Sequence, residues 1–456
     1  MECTMVARAN LSRRSLLAAT GGAALALTPL ACGGGNGGSG FAQASGDKVP
    51  DQYAKRTHVV VWHAYADIPG NALAALAKKF NESQQDVYVE VQFQGSYDET
   101  AQKVTAAVQA KKIPDLVTFS EVNWHNFYLN DLLEPLDAYF GSGLKKSDYN
   151  QKLLNEGVLK GKLWWLPLAR STPIMYFNKT LFHKAGLPTD RGPKDWDEWY
   201  GWTRQLKGIK VKGKQVRMEA YQKIDGDWQF QGSVWQWGGA YSNGLDVTID
   251  QAPAVAAGEW QRKLIFTDKM AYMADSPSVD FQNQLIATLV TSTGGLRGIT
   301  EAAQKGGWEV GTAFVPGKEK QVVPTGGGGF GILSYAPKDR KEAAWKFVEF
   351  VGKPENSAYW TVQTGYLPVI EAAKEQPDLK KLLADNPNFS TAVKQLDIVR
   401  KEDEVRLMVP NANILIYTGL QKIWTNNQPA QQVFTDVAGQ IRKATDKVRK
   451  NIEKHV

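Results

Sequence analysis

The sequence predicts an α/β protein built in two lobes, on three observations. At 456 residues the chain is long enough for two lobes with a sizeable core each. From His58 it reads strand, helix, strand, helix, strand, the rhythm of a doubly wound parallel sheet. Residues 190–250 break that rhythm, being rich in Trp, Gly and charge with mostly helical or irregular patterning, before regular segments resume.

At the N-terminus, NLSRRSLLAATGGAALALTPLAC pairs Arg13 with Arg14, runs uncharged from Ser15 to Ala31 and ends on Cys32. Such a stretch is a secretory signal, too short and too rich in small residues for a membrane span. SRRSLL resembles the twin-arginine export motif, and PLAC resembles a lipobox with Pro29 where that pattern carries an aliphatic residue. Residues 1–32 are therefore expected to be a twin-arginine-type lipoprotein signal with Cys32 lipidated, and residues 33–56, beginning GGGNGGSG, a flexible linker. Cys3 and Cys32 are the only cysteines, so the body of the chain has no internal disulfide and depends on packing.

In the body, HVVVW is an apolar run suited to a buried strand. Leu73, Leu76, Ala77 and Phe80 share one helical face. Val87, Val89, Val91 and Phe93 alternate with polar neighbours as in a half-buried strand. Ala101, Val104 and Val108 mark a second helix, and DLVTF the third strand. Further on, Ala344, Phe347, Val348 and Val351 define a helix after Pro337, and Val433, Val437 and Ile441 define a last one entered through Pro429.

Several chemistries are excluded. His58, His63, His125, His183 and His455 include no pair at metal-ligand spacing, and no GxSxG elbow is present. The run PTGGGGFGILS lacks the Gly-Lys-Ser/Thr of a P-loop, because Gly326 to Gly329 lead into Phe330, Gly331 and Ile332. Net charge is +7, of which the leader supplies part, and the basic residues are dispersed rather than striped, so nucleic acid is not expected as a partner. Glu121, after the third strand, stands where such a sheet presents functional loops, which suits either a catalytic acid or a ligand acceptor.

The order of VVVWHAY, AALAKKFNESQQDVYVEVQFQGSYDE, PDLVTF, WWLPLARSTPIMYFNKTLFHKAGL, PKDWDEW and KEAAWKFVEFVGKPENSAYW resembles the extracellular solute-binding proteins of ABC importers, family 1. Within that family the chain looks most like the binders of sn-glycerol-3-phosphate and glycerophosphodiesters. The resemblance implies a two-lobed periplasmic-binding-protein fold of type II, with hinge crossovers and the ligand between lobes. It places residues 57–167 and 324–367 in an N-terminal lobe, and 168–323 and 368–456 in a C-terminal lobe. It implies an exported, membrane-anchored monomer that is no enzyme, needs no cofactor or metal, and delivers its ligand to a permease.

The same resemblance implies a ligand set. Tyr97 in GSYDE and Glu121 would meet glycerol hydroxyls. Arg406 in EVRLMVPN would bind phosphate, helped by Ser171, Ser292, Tyr366 and an amide of the glycine run, with Gly327 the best candidate. Trp228 in GDWQ would be a pocket wall, and a face for a choline-like cation. Physically, a desolvated phosphate needs donors, which a guanidinium supplies as a bidentate pair. An ionised Glu121 only accepts, so carboxylate and guanidinium are expected at opposite ends of the ligand. Without the resemblance these would read as turn, core or surface residues; Arg170 is a second basic group near Ser171 for which a surface role is preferred, and His63 and Trp124, beside the expected cleft loops, are read as packing. Two alternatives remain open: a sugar or oligosaccharide binder of the same fold, and an exported glycosidase using Glu121.

Overall fold

A computed structural model describes residues 40–455, apart from 45, 47, 224 and 225. The signal, Cys32 and the glycine-rich start of the expected linker lie outside the described residues. Among the described residues of that linker, Ala42 and Gln43 are docked, not loose. Ala42 and Gln43 pair in parallel with Lys112 and Ile113, and Gln43 Nε2 donates to Asp115 Oδ2 at 2.6 Å.

The expected βαβαβ unit forms. Strand β1 (Thr57–His63) buries its three valines, and helix α1 (Asp67–Ser83) buries Leu73, Leu76, Ala77 and Phe80. Strand β2 (Val87–Phe93) pairs parallel to β1. Helix α2 (Tyr97–Gln109) starts on a capping box, in which Ser96 and Glu99 satisfy each other's backbone N–H groups. Strand β3 (Leu116–Ser120) is buried throughout and pairs parallel to β1.

The chain then reaches β4 (Leu166–Ser171), passes Thr172 and enters β5 (Pro173–Asn178), which belongs to a different sheet. The middle region is more regular than its composition suggests. Helix α3 (Trp196–Trp202) is followed by β6 (Glu219–Gln222), α4 (Gly226–Gln236), α5 (Ala252–Phe266) and β7 (Ala271–Ala274), with β6 and β7 paired in parallel. Four-residue strands such as β6 are too short for a period to show in sequence. Strands β8 (Thr288–Ser292) and β9 (Val310–Ala313) flank β5 on either side, both antiparallel to it.

The glycine run is itself a strand. Gly326 to Gly329 open β10 (Gly326–Ile332), which inserts antiparallel between β3 and β4. The first sheet therefore runs β2-β1-β3-β10-β4, a mixed sheet in place of the expected parallel one. Glycine is required at Gly327, where φ is +100° and a Cβ would stand 1.9 Å from the Ala169 carbonyl oxygen. Helix α6 (Lys338–Val351) buries the four residues that announced it. Helices α7 (Glu404–Met408), α8 (Ala412–Asn426) and α9 (Ala430–His455) complete the chain, and α9 buries Val433, Val437 and Ile441.

Candidate ligand cleft

The eight residues singled out from the sequence line one open cleft of about 200 Å³. Both sheets contribute. Tyr97 is the first residue of α2, Glu121 follows β3 and donates its N–H to the Gly327 carbonyl at 3.1 Å, and Ser171 ends β4 opposite Gly326 in β10. Ser292 ends β8, with its hydroxyl accepting from Gly294 N at 3.0 Å. Trp228, in α4, is pinned by its indole N–H to the Thr325 carbonyl at 2.7 Å. Tyr366 lies beyond the helix Pro354–Thr364 and stacks on Trp360 with ring centroids 5.9 Å apart. Arg406 comes from α7.

The charge arrangement departs from the expected one. Arg406 and Glu121 do not stand at opposite ends, because Arg406 Nη1 lies 3.3 Å from Glu121 Oε1. Nor does Arg406 present a free bidentate fork. Its Nε donates to Asp227 Oδ2 at 2.7 Å and its Nη1 also meets Glu402, so among the described residues only Nη2 lacks a hydrogen-bond partner in the protein. Arg170, read from sequence as a surface group, is wholly buried beneath the cleft. It pairs with Glu156 and lies 3.9 Å from the other Glu121 oxygen. His63 and Trp124 are buried, and neither lines the cleft.

Four carboxylates thus share two guanidiniums in a buried cluster. Burial raises the pKa of Glu402 well above the usual carboxylate range against the opposing pull of Arg406. Burial likewise raises Asp227 against Arg406, and Glu156 against Arg170. The carboxyl oxygens Asp227 Oδ1 and Glu402 Oε1 are buried without a hydrogen-bond partner. Such a cluster holds protons more readily than isolated surface acids.

Sequence reasoning missed Asp227, Glu402 and Glu156. The i,i+4 spacing of Glu402 and Arg406 in KEDEVR was a usable signal for one of them, and Asp227 adjoins Trp228 in GDWQ. Glu156 reaches Arg170 from a separate turn, which no local pattern announces. The cleft also draws on Gln222, Gln229 and Thr291. Among the described residues no group of three or more His, Cys, Asp or Glu could hold a metal ion, and no helix is long and apolar enough to cross a membrane.

Comparison with known proteins gives a consistent set of relatives. Residues 75–391 match the family described as bacterial extracellular solute-binding protein. The sn-glycerol-3-phosphate-binding periplasmic protein UgpB of Escherichia coli (strain K12) is 24% identical over 401 residues, covering 83% of this chain and 90% of the relative. The crystal structure of UgpB from Mycobacterium tuberculosis in complex with glycerophosphocholine superposes with a TM-score of 0.80 at 33% identity, covering 85% of this chain and 98% of that one. A cyclic α-maltosyl-1,6-maltose-binding protein from Arthrobacter globiformis matches at a TM-score of 0.69 and 21% identity, over 85% of this chain and 98% of its own, and so shares the fold.

Proposed function

The chain belongs to the bacterial extracellular solute-binding proteins, and from that premise we propose that its cleft captures a glycerophosphodiester such as glycerophosphocholine, with sn-glycerol-3-phosphate the second choice. Proteins of this family are ligand-capturing components of ABC importers, not enzymes, and their partners are a small ligand and a permease. The fold is the two-lobed type II periplasmic-binding-protein fold.

The observation that carries the reading is the meeting of Arg406 and Glu121, 3.3 Å apart, on a cleft wall shared with Ser171, Ser292, Tyr97 and Tyr366. In the proposal the unpartnered Nη2 of Arg406 donates to a phosphate oxygen, and the hydroxyls of Ser171 and Ser292 supply neutral donors. Glu121 accepts from a glycerol hydroxyl within reach of the same arginine, so phosphate and polyol lie side by side. The Gly327 amide approaches the phosphate, and Trp228 walls the alcohol substituent. The acid-rich surroundings favour a singly charged diester over a dianionic monoester, because each added negative charge is repelled at close range in a low-dielectric site. Similarity to a glycerophosphocholine-bound structure supports the same choice.

Ligand contacts from both sheets would draw the lobes together, a population shift by differential binding. The lobe limits belong to the proposal: residues 57–167 with 324–367, and 168–323 with 368–456, with the first sheet-to-sheet passage at Thr172. Twin-arginine export, lipid anchoring through Cys32 and a monomeric state complete it.

A thermal-shift screen tests the ligand class. Glycerophosphocholine is expected to raise the melting temperature more than glycerol-3-phosphate, and di- and trisaccharides to leave it unchanged. A response to saccharides alone would replace this reading with the sugar-binding one.

A further inference from the structure

The cleft does not end at its eight residues. Asp98, the second residue of α2, and Asn413, the second residue of α8, line it as well. Both also line a groove of about 690 Å³, more than three times the space of the cleft at about 200 Å³. The groove follows α2 from Asp98 to Gln109 and is shared with the short helix Asn123–Tyr128 after β3. At a rise of about 1.5 Å per residue, that is a length of about 16 Å along α2. The entry to α8 adds Pro410, Asn411 and Ile414 to its lining.

The lining is polar without being charged. In a chain of which 22% is charged, Asp98 is the single ionisable residue along the groove, and no Lys, Arg or His lines it among the described residues. Carboxamides dominate instead, among them Gln102 and Gln109 of α2 and Asn126 of the short helix. Asn123 Nδ2 donates to Asp98 Oδ1 at 3.2 Å and so fixes the carboxylate where cleft and groove meet. The side chains of Gln102, Gln109 and Asn413 have no hydrogen-bond partner among the described residues. Gln102 and Gln109 are exposed, so water serves them, but Asn413 is only 9% exposed. A buried amide without a partner is costly, and a ligand that supplies one recovers that cost.

We infer that the groove is a subsite for an uncharged polyhydroxylated group, a glycosyl or polyol residue, carried by the cleft ligand on its glycerol end. The inference rests on the reading of the cleft as a glycerophosphate site. A carboxamide offers one acceptor and two donors, and a hydroxyl both donates and accepts, so Asn413 and Gln102 suit the neighbouring hydroxyls of a sugar. A second anionic group would meet Asp98 with no cation to offset it. A cationic group would find one carboxylate and no aromatic cage, because Phe127 is the one aromatic residue in the lining. An alkyl chain would leave the amides unpaired.

The glycerol end is chosen by the neighbours of the groove in the chain. Asp98 follows Tyr97, and Asn123 lies two residues past Glu121, the two residues assigned to the glycerol hydroxyls. The cleft then selects phosphate and glycerol, and the groove selects what the glycerol carries. Unsubstituted glycerol leaves the Asn413 amide without a partner, whereas a sugar on that glycerol reaches past Asp98 to Asn413 and Gln102. Two such hydrogen bonds are worth about tenfold in affinity.

The test is calorimetry of the full chain with glycerol 3-phosphate and with glucosylglycerol 3-phosphate, and with glycerophosphocholine as the reference for the cleft. The glucosylated monoester is expected to bind about tenfold tighter than glycerol 3-phosphate. Asn413→Ala should remove most of that advantage, and Gln102→Leu should reduce it by about threefold. Gln102 is exposed, so its variant keeps the test decisive if the Asn413 variant folds poorly. Equal affinity for the two monoesters in the wild type, or an advantage that survives in both variants, overturns the inference. If glycerophosphocholine binds meanwhile, the groove alone is struck; failure of all three ligands strikes the reading of the cleft and the inference with it.

Discussion

Two buried acids a helix apart illustrate two ways to keep a carboxylate from water. Glu402, beneath the cleft, shares Arg406 with Asp227 and Glu121, so its charge is partly answered from within the chain. Glu219, which opens β6 among aromatic side chains, has no cation in ion-pair range among the described residues. The first arrangement keeps a guanidinium in place but leaves it only partly available to an anion. The second leaves a charge to be neutralised by a proton. Surplus acid in the cleft links ligand binding to protons, and the lone acid links stability to them.

The largest effect expected from breaking this contrast is on stability at alkaline pH. Glu219 holds its proton more tightly folded than unfolded, so wild-type stability should fall as pH rises from about 4.5 to about 8 and level off above. Glu219→Gln removes that loss. It is expected to be more stable than wild type at pH 9, by on the order of 5 kcal/mol at most, and nearly equal to it at pH 4, as read by chemical denaturation. A parallel pH profile in the two proteins would mean that Glu219 is not a lone buried acid.

Next in size is Arg406→Ala, which should reduce glycerophosphocholine affinity by more than about a hundredfold in calorimetry. It also strands Asp227 and Glu402, so the variant should melt lower at pH 8 than at pH 5, where both acids take up protons. Unchanged affinity would remove Arg406 from the ligand site.

The smallest effect concerns Glu402→Gln. An incoming phosphate raises the proton affinity of the nearby acids further, so wild-type binding should take up as much as about one proton and strengthen as pH falls from 7.5 to 5.5. Calorimetry in two buffers of different ionisation enthalpy measures this. Glu402→Gln should cut the uptake and raise affinity at pH 7.5 by up to about tenfold. Proton release on binding would contradict the charge arrangement.

Much of the first sheet was legible because its helices obey local periods, as Leu73 to Phe80 do, whereas the alternation read from Val87 to Phe93 holds only at Val87 and Val89, since Glu90 is buried and Phe93 exposed. The gathering of Tyr97, Glu121, Ser171, Trp228, Ser292, Gly327, Tyr366 and Arg406 was legible through family-like segments, and no spacing in the chain would have revealed it. What stayed hidden is pairing across distance. Arg170 looked like a surface group because its partner Glu156 lies in another turn. The approach of Glu121 to Arg406 depends on how β3 and α7 meet, 285 residues apart in sequence. The glycine run, which lacks the residues of a P-loop, is not a loop at all. It is a strand, kept free of side chains where Tyr97 and the Ala169 carbonyl crowd it.

The most direct measurement is a crystal structure of the protein with glycerophosphocholine. Closed lobes are expected, with a phosphate oxygen on Arg406 Nη2 and a glycerol hydroxyl on Glu121. An empty cleft at saturating ligand, or a phosphate bound away from Arg406, would contradict the proposed capture of a glycerophosphodiester.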